Sequence, residues 1–362
     1  MTGVKRARDL GLPFAGKPGP FNAITDVAGV AVGTTTLISG DGPLIVGKGP
    51  IRTGVTAILP RGRAKAHIPC AAGYYSFNGN GEMTGLVWIE ESGELQTPIT
   101  ITNTNSCGVT RDATIRWMVA NKIGTGQDWG LPVAAETFDG ELNDLNGFHV
   151  TAEHAMAALD VARSGPVELG SVGGGTGMIC YDFKAGNGSS SREVNLDGQK
   201  YTVGVFVQAN FGAREQMTIL GVPVGQHIKA AKLRGKDQGS VIAIVATDAP
   251  FQPHQLKRLA RRVPMGLART GTFGTNSSGD IFLAFSTANE QAYTSDGAKL
   301  RNAFFLRNDA IDPIFNAVVE ATEEAVIDSM VCNKTMVGRD GNTSVALPLD
   351  QVMALMKKYG RV

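Results

Sequence analysis

A chain of 362 residues, 43% hydrophobic and 19% charged, has an ordinary globular composition and length enough for one large or two medium domains. With 34 Lys and Arg against 33 Asp and Glu, the net charge of +1 points away from a nucleic-acid or other polyanion partner. Four scattered cysteines (Cys70, Cys107, Cys180, Cys332) form neither a zinc motif nor a disulfide scaffold, so buried free thiols are expected. No apolar run approaches the ~20 residues of a membrane span, and Met1 to Leu10 carry no apolar signal core. The expectation is a cytoplasmic protein with no membrane partner.

Residues 1–20 hold four glycines and three prolines and read as an arm over the surface. Asn22 to Val32 opens a β-rich part, and Gly54 to Pro60 is a second strand. Tyr74 to Glu82 reads as a polar, glycine-punctuated loop, with strands at Gly85–Ile89 and Thr97–Ile101 after it. The latter ends in the small polar row Thr102-Asn103-Thr104-Asn105-Ser106. Helices are expected at Arg111–Asn121, with Ile115, Met118 and Val119 on one face, and at about Thr151–Arg163. Tyr201–Ala209 is a strand running into Asn210-Phe211-Gly212. Pro253 opens a helix that Pro264 stops, with Lys257, Arg258, Arg261 and Arg262 on a solvated face. After a strand at Ile281–Ser286, Asp312-Pro313 make an N-cap and N1 pair for a long helix, and Leu349–Tyr359 closes the chain as another. Mixed strands and helices, 46 glycines and no linker or repeat suggest one α/β domain of sheet covered by helices.

Several polar clusters have an unremarkable explanation. Gly173-Gly174-Gly175-Thr176-Gly177 lacks the lysine of a phosphate loop and the spacing of a dinucleotide fingerprint, which favours a turn for close backbone packing over an anion site. The five histidines show no ligand spacing, and His149 with His154 makes a weak metal case. Thr275 to Asp280, a run of hydroxyls ending in a carboxylate, suits a self-capping turn as well as a serine-and-acid pair that orients a nucleophile.

One junction invites chemistry. A charged run from Lys232 to Gly239 meets the apolar strand Val241–Ala246, a run rich in β-branched residues that suits burial on both faces. Ser240 therefore starts a central strand behind a residue without a Cβ. A serine hydroxyl there can attack the preceding glycine carbonyl, which is sterically open and tolerates strained backbone. Cleavage would leave Ser240 as an N-terminus whose α-amine, with a pKa near ~7.7–8.0, can serve as general base. Gly-Ser is also a common loop-to-strand step, and the dipeptide alone does not decide.

The set of motifs does more. Glu136-Thr137-Phe138-Asp139-Gly140, Gly173 to Met178, Val207 to Gly212, Gly239-Ser240 before Thr247-Asp248-Ala249-Pro250, and Ser278-Gly279-Asp280 occur in one order. In this the chain resembles the self-cleaving β-peptidyl aminopeptidases and L-aminopeptidase D-amidase/esterases, from about Asn22 to about Ser329. The resemblance implies a four-layer α/β/β/α sandwich like that of N-terminal nucleophile hydrolases, with its own connectivity. It implies a cut that yields residues 1–239 and 240–362, and a homo-oligomer of such αβ units. It makes Ser240 the nucleophile, Ser278 and Asp280 the residues that position it, Asn210 an oxyanion donor and Glu136 the acid that receives a substrate's free amine. Substrates would be small peptides, amides or esters with a free N-terminus, of α- or β-amino acids, and no metal or organic cofactor is needed. Some relatives have glutamate where Asp280 stands, one methylene longer, and tyrosine where Phe138 stands. Readings that compete are an acyltransferase of the ornithine acetyltransferase kind, against which Ser240 in place of threonine argues, and an anion-binding protein using Gly173–Gly177.

Overall fold

The computed structural model describes residues 5–124, 129–234 and 239–362. Strands of the first half are β1 (Ala31–Ser39), β2 (Ile51–Leu59), β3 (Cys70–Gly79), β4 (Glu94–Leu95), β5 (Ile99–Asn103) and β6 (Val133–Thr137). They are followed by β7 (Ile179–Cys180), β8 (Phe183–Lys184), β9 (Asn187–Leu196), β10 (Gln199–Asn210), β11 (Ser240–Thr247) and β12 (Gly279–Ser286). Helices are α1 (Leu86–Ser92), α2 (Cys107–Ala120), α3 (Ala152–Asp160), α4 (Val224–His227), α5 (Pro253–Ala260), α6 (Val263–Arg269), α7 (Glu290–Tyr293), α8 (Asp312–Val331) and α9 (Leu349–Lys358). Four strands form one sheet, ordered β1-β2-β5-β6, and six form another, ordered β4-β3-β12-β11-β10-β9.

The layering follows from which side chains alternate into which core. In β11, Ile242, Ile244 and Ala246 point at the other sheet, where they meet Ile58, Ile99, Ile101 and Val133. Val241, Ala243 and Val245 point the opposite way, into the core with Leu256, Leu259, Val318 and Met330 of α5 and α8. A third core joins Val55, Ala57 and Leu59 of β2 to Ala113 and Trp117 of α2 and Ala155 and Leu159 of α3. Three cores between four layers make the expected α/β/β/α sandwich. The apolar run at 241–246 is fully buried because β11 has a layer on each face.

Several local expectations need correction. Tyr74–Glu82 is mostly strand, not loop: β3 pairs with β12 through Gly79, and its Tyr74, Tyr75 and Phe77 are good strand formers despite the polar residues among them. Gly85–Ile89 is not a strand. Leu86 begins α1 behind Gly85, whose φ of 77° only glycine adopts easily, and so short an apolar run carries no decisive period. In α2, which starts earlier than expected, Ala113, Thr114 and Trp117 face inward and Val119 is exposed, because the indole rather than the aliphatic row fills the space toward α3. Asn22–Val27 holds a 3-10 turn (Ile24–Asp26), so β1 starts only at Ala31.

Pro264 does not stop α5 but sits in the first turn of α6, where a missing N–H costs nothing. Asp312 is the first residue of α8 rather than its cap. The basic face of α5 is less solvated than expected. The guanidinium groups of Arg258 and Arg262 lie over Phe315, and Lys257 and Arg261 lie over Tyr74 and Tyr75. The N-terminal arm is anchored: Ala7, Leu12 and Phe14 are buried, and Arg6 and Arg8 pair with Asp328 and Glu324 of α8.

Gly173–Gly175 is a buried 3-10 turn whose Gly173 and Gly174 N–H groups donate to Thr36 and Thr56 Oγ1. A Cβ on Gly174 would stand 2.5 Å from the Ile101 carbonyl oxygen, so the loop is a close-packing turn with its donors in use. All four cysteines are buried, and Cys70, Cys107 and Cys332 are free thiols. Among the described residues no helix is long and apolar enough to cross a membrane, and no group of three His, Cys, Asp or Glu side chains is placed to hold a metal.

Candidate active site

The two sheets part where β11 begins, leaving a cleft of about 690 Å³ lined by Glu82, Thr104, Glu136, Phe138, Ser240 and Ser277, among others. Ser240 is the first residue of β11 and 4% exposed. It pairs directly with Asn210 at the end of antiparallel β10 and with Gly279 at the start of parallel β12. Residues opposite each other on paired strands share a face. Ser240 and Asn210 therefore both look toward the smaller sheet.

Gly239 explains its own identity. Its φ is 133°, and a Cβ there would fall 1.7 Å from the Asn210 carbonyl oxygen. Its own carbonyl oxygen accepts a hydrogen bond from the Gly279 N–H at 3.3 Å. Gly279 is confined in turn, since a Cβ on it would stand 2.3 Å from the Asn80 carbonyl oxygen.

Asn210 is completely buried. Its Oδ1 accepts from the Ile179 N–H at 3.0 Å and from Arg234 Nη2 at 2.8 Å, and its Nδ2 donates to the Phe138 carbonyl oxygen at 2.8 Å. Phe138 thus meets Asn210 through its backbone, while its ring is partly exposed in the cleft.

Ser278 Oγ donates to Asp280 Oδ1 at 2.6 Å, and Asn78 Nδ2 donates to Asp280 Oδ2 at 3.0 Å. Asp280 pairs with Val241, one step past Ser240, and its carboxylate lies on the helix-facing side beside Phe211, Leu267 and Phe273. Ser278 stands next to Gly279, the residue that pairs with Ser240, so it links the acid to the mouth of β11.

Glu136, at the end of β6, is 3% exposed. Thr104 Oγ1 donates to Oε2 at 2.5 Å and the Glu82 N–H to Oε1 at 2.9 Å. Burial pushes its carboxyl above the usual glutamate range, against the pull of those two hydrogen bonds. A carboxylate held at a cleft wall with both oxygens oriented is suited to receive an ammonium group.

The structure therefore places Asn210, Ser240 and Asp280 on three adjacent strands, with Ser278 just before the third, the Asp280 carboxylate on the helix-facing side, and Glu136 on the other sheet across the cleft. Sequence reading missed Arg234, Asn78, Glu82 and Thr104. Only Thr104 had a signal, as part of the small polar row that ends β5. Asn78 was hidden in a stretch read as loop, and Arg234 in a charged run.

The model of peptidase family S58 matches residues 22–344. The chain belongs to this family. Other comparisons agree with the S58 assignment. The β-peptidyl aminopeptidase BapA of Sphingosinicella microcystinivorans is 50% identical, with 99% of this chain and 93% of that protein aligned. The L-aminopeptidase D-Ala-esterase/amidase of Ochrobactrum anthropi superposes with a TM-score of 0.93 at 46% identity, over 98% of this chain and 99% of that one. It is described as a prototype for the serine aminopeptidases and a new variant of the N-terminal nucleophile hydrolase fold. A β-aminopeptidase from a Burkholderia species superposes with a TM-score of 0.90 at 44% identity, over 98% and 99% of the two chains. This S58 peptidase has that fold, and the cleft at the start of β11 is its candidate active site.

Proposed function

We propose that this chain is a serine aminopeptidase that frees its own nucleophile by cutting between Gly239 and Ser240. The supporting observation is the placement of Ser240. It opens a central strand behind a positive-φ glycine, on the floor of a cleft whose opposite wall carries a buried, oriented glutamate.

In self-cleavage, Ser240 Oγ attacks the Gly239 carbonyl carbon and the Gly279 N–H, already on that oxygen, meets the charge that develops there. Collapse passes the Oγ proton to the nitrogen of Ser240, breaks the C–N bond and leaves an ester on Oγ, which water hydrolyses. The product is residues 1–239 and 240–362 with a free α-amine on Ser240. In turnover that amine takes the Oγ proton as Oγ attacks a substrate carbonyl, and hands it to the departing amine. Asn210 donates to the oxyanion, and Ser278 with Asp280 holds hydroxyl and amine in register. Water then releases the acyl group.

Glu136 receives the substrate's ammonium, which restricts the enzyme to free N-termini. Substrates are small peptides, amides or esters of α- or β-amino acids, in keeping with the names of its relatives. The two fragments stay together as one domain, and these αβ units assemble into a homo-oligomer. Exposed Leu300, Phe304 and Phe305 support such an assembly. Cysteines buried as thiols, Cys70, Cys107 and Cys332 among them, suit a reducing, cytoplasmic setting.

Intact mass spectrometry with an aminoacyl p-nitroanilide assay tests this reading. Scaling 38.1 kDa by 239/362 gives fragments of about 25 and about 13 kDa. Ser240→Ala should stay whole and inactive. A wild-type chain that is active while uncut would refute the scheme.

A further inference from the structure

Arg234 lies in the charged run before the scissile bond, yet its side chain is only 2% exposed. Its guanidinium reaches in three directions. Nε and Nη2 hold the two carboxylate oxygens of Glu141 at 2.9 and 3.1 Å. Nη2 also donates to Asn210 Oδ1 at 2.8 Å, and Nη1 to the Ile179 carbonyl oxygen at 3.1 Å. Gly239 packs over it, since a Cβ there would come within 3.1 Å of Nη1. The backbone is fixed as well: Asp182 Oδ1 accepts from the N–H groups of Leu233 and Arg234 at 2.8 and 3.1 Å.

A carboxamide oxygen has two lone pairs. At Asn210 the Ile179 N–H takes one and Arg234 the other. Flipping the amide would turn its NH₂ against a backbone donor and a guanidinium, leaving three donors facing one another in a buried site. Only the observed orientation is tolerated. It gives one Nδ2 hydrogen to the Phe138 carbonyl and leaves the second for an oxygen at Ser240.

We propose that Arg234 is a positioning residue, clamped by Glu141, that locks the Asn210 amide in its donating orientation. This rests on the role given to Asn210 above. A planar fork is required, because a lysine ammonium is a single point of charge and cannot grip a carboxylate on two sides while reaching the amide. The clamp also neutralises Glu141 at the cleft wall, which leaves Glu82 and Glu136 as the lining carboxylates that can attract a substrate's ammonium.

The test is a double-mutant cycle of wild type, Arg234→Met, Asn210→Ala and the double variant. Self-cleavage is followed by intact mass, and kcat and KM are measured per mole of processed chain. A variant that stays uncut is still scored on its cleavage rate. Loss of Asn210 should lower kcat about 100- to 1000-fold. Arg234→Met alone should lower it roughly 10- to 100-fold with little change in KM, the size of a lost hydrogen bond to a charged group. In the Asn210→Ala background the same change should cost nothing further. Arg234→Lys should not restore kcat. Equal slowing in both backgrounds, or none in either, overturns the inference. Wild-type rates in Asn210→Ala would instead remove the role of Asn210, and this inference with it. If Arg234→Met does not fold, Glu141→Gln, which loosens the clamp without emptying it, replaces it in the cycle. It should lower kcat about three- to tenfold in the Asn210 background only, and additivity again overturns the proposal.

Discussion

Glu136→Gln separates charge from shape at the cleft wall. The glutamate accepts from Thr104 Oγ1 through one oxygen and from the Glu82 N–H through the other. A glutamine can keep its oxygen on the Glu82 N–H, which has no alternative role as acceptor. Its NH₂ then faces Thr104, whose hydroxyl can turn and accept. The wall keeps its form and loses one negative charge. An ammonium hydrogen-bonded to a buried carboxylate is worth about 1.5–3 kcal/mol, so kcat/KM should fall roughly 10- to 150-fold. The pH profile adds a second signature. Burial raises the Glu136 carboxyl, so in the wild type this group's acid limb should lie above the ordinary glutamate range, with activity lost as pH falls through it. In the variant that limb should disappear. Self-cleavage should be unchanged, because the uncut chain presents no free amine to this wall. The assay is hydrolysis of an aminoacyl p-nitroanilide across pH, with processing followed by mass in the same preparation. A fully processed variant with wild-type kcat/KM at neutral pH would take Glu136 out of the site.

Ser278→Ala and Asp280→Ala should each lower kcat far more than KM, because orientation of Ser240 is what they lose; normal turnover in both would return the 275–280 segment to a backbone-capping turn. Gly239→Ala should accumulate uncut chain, since its Cβ would overlap the Asn210 carbonyl at a φ of 133°; processing at the wild-type rate would show that this backbone is not needed for the cut. Asp139 is fully buried beside Phe138, and burial, opposed by hydrogen bonds involving Thr53, Asn143 and Asn103, pushes its carboxyl up to about 7. Between its unfolded value near ~3.9 and that value the folded chain holds a proton that the unfolded chain has lost. The stabilisation is complete below ~4 and disappears as pH rises to 7, at most about 4 kcal/mol. Asp139→Asn should flatten this slope, so that the Tm difference, variant minus wild type, grows from pH 5 to pH 8. Parallel Tm curves would contradict it.

What could be read ahead of the structure depended on whether a residue's role is local. The run from Val241 to Ala246 announces a doubly covered strand by itself, because burial on both faces leaves no polar alternation. Glu136 and Ser240 stand at strand ends, where function is easy to suspect. Their placement across two sheets is tertiary, and it was the resemblance that suggested the roles proposed for them. β3 was lost because its outer half is polar and glycine-rich, and α1 because a short apolar run has no measurable period. Arg234 was invisible for a different reason. Nothing in a charged turn says which of its cations folds inward, and only the position of Glu141, 93 residues earlier, decides it.

The strand order of the larger sheet bears on what a cut before Ser240 would do. β11 and β12 come after that point, and they lie side by side in the middle. On one flank is β3 and on the other β10, both from before it. The second fragment would be wedged into the first like a finger between two others, with ladder hydrogen bonds along both of its edges. Helix α8, also from the second fragment, would still be held by Arg6 and Arg8 from the start of the first. Neither piece could leave without opening two rows of backbone hydrogen bonds and exposing both inner cores. Breaking one covalent bond at this point would release a terminus without releasing a subunit, and the fragments should part only under conditions that unfold them both.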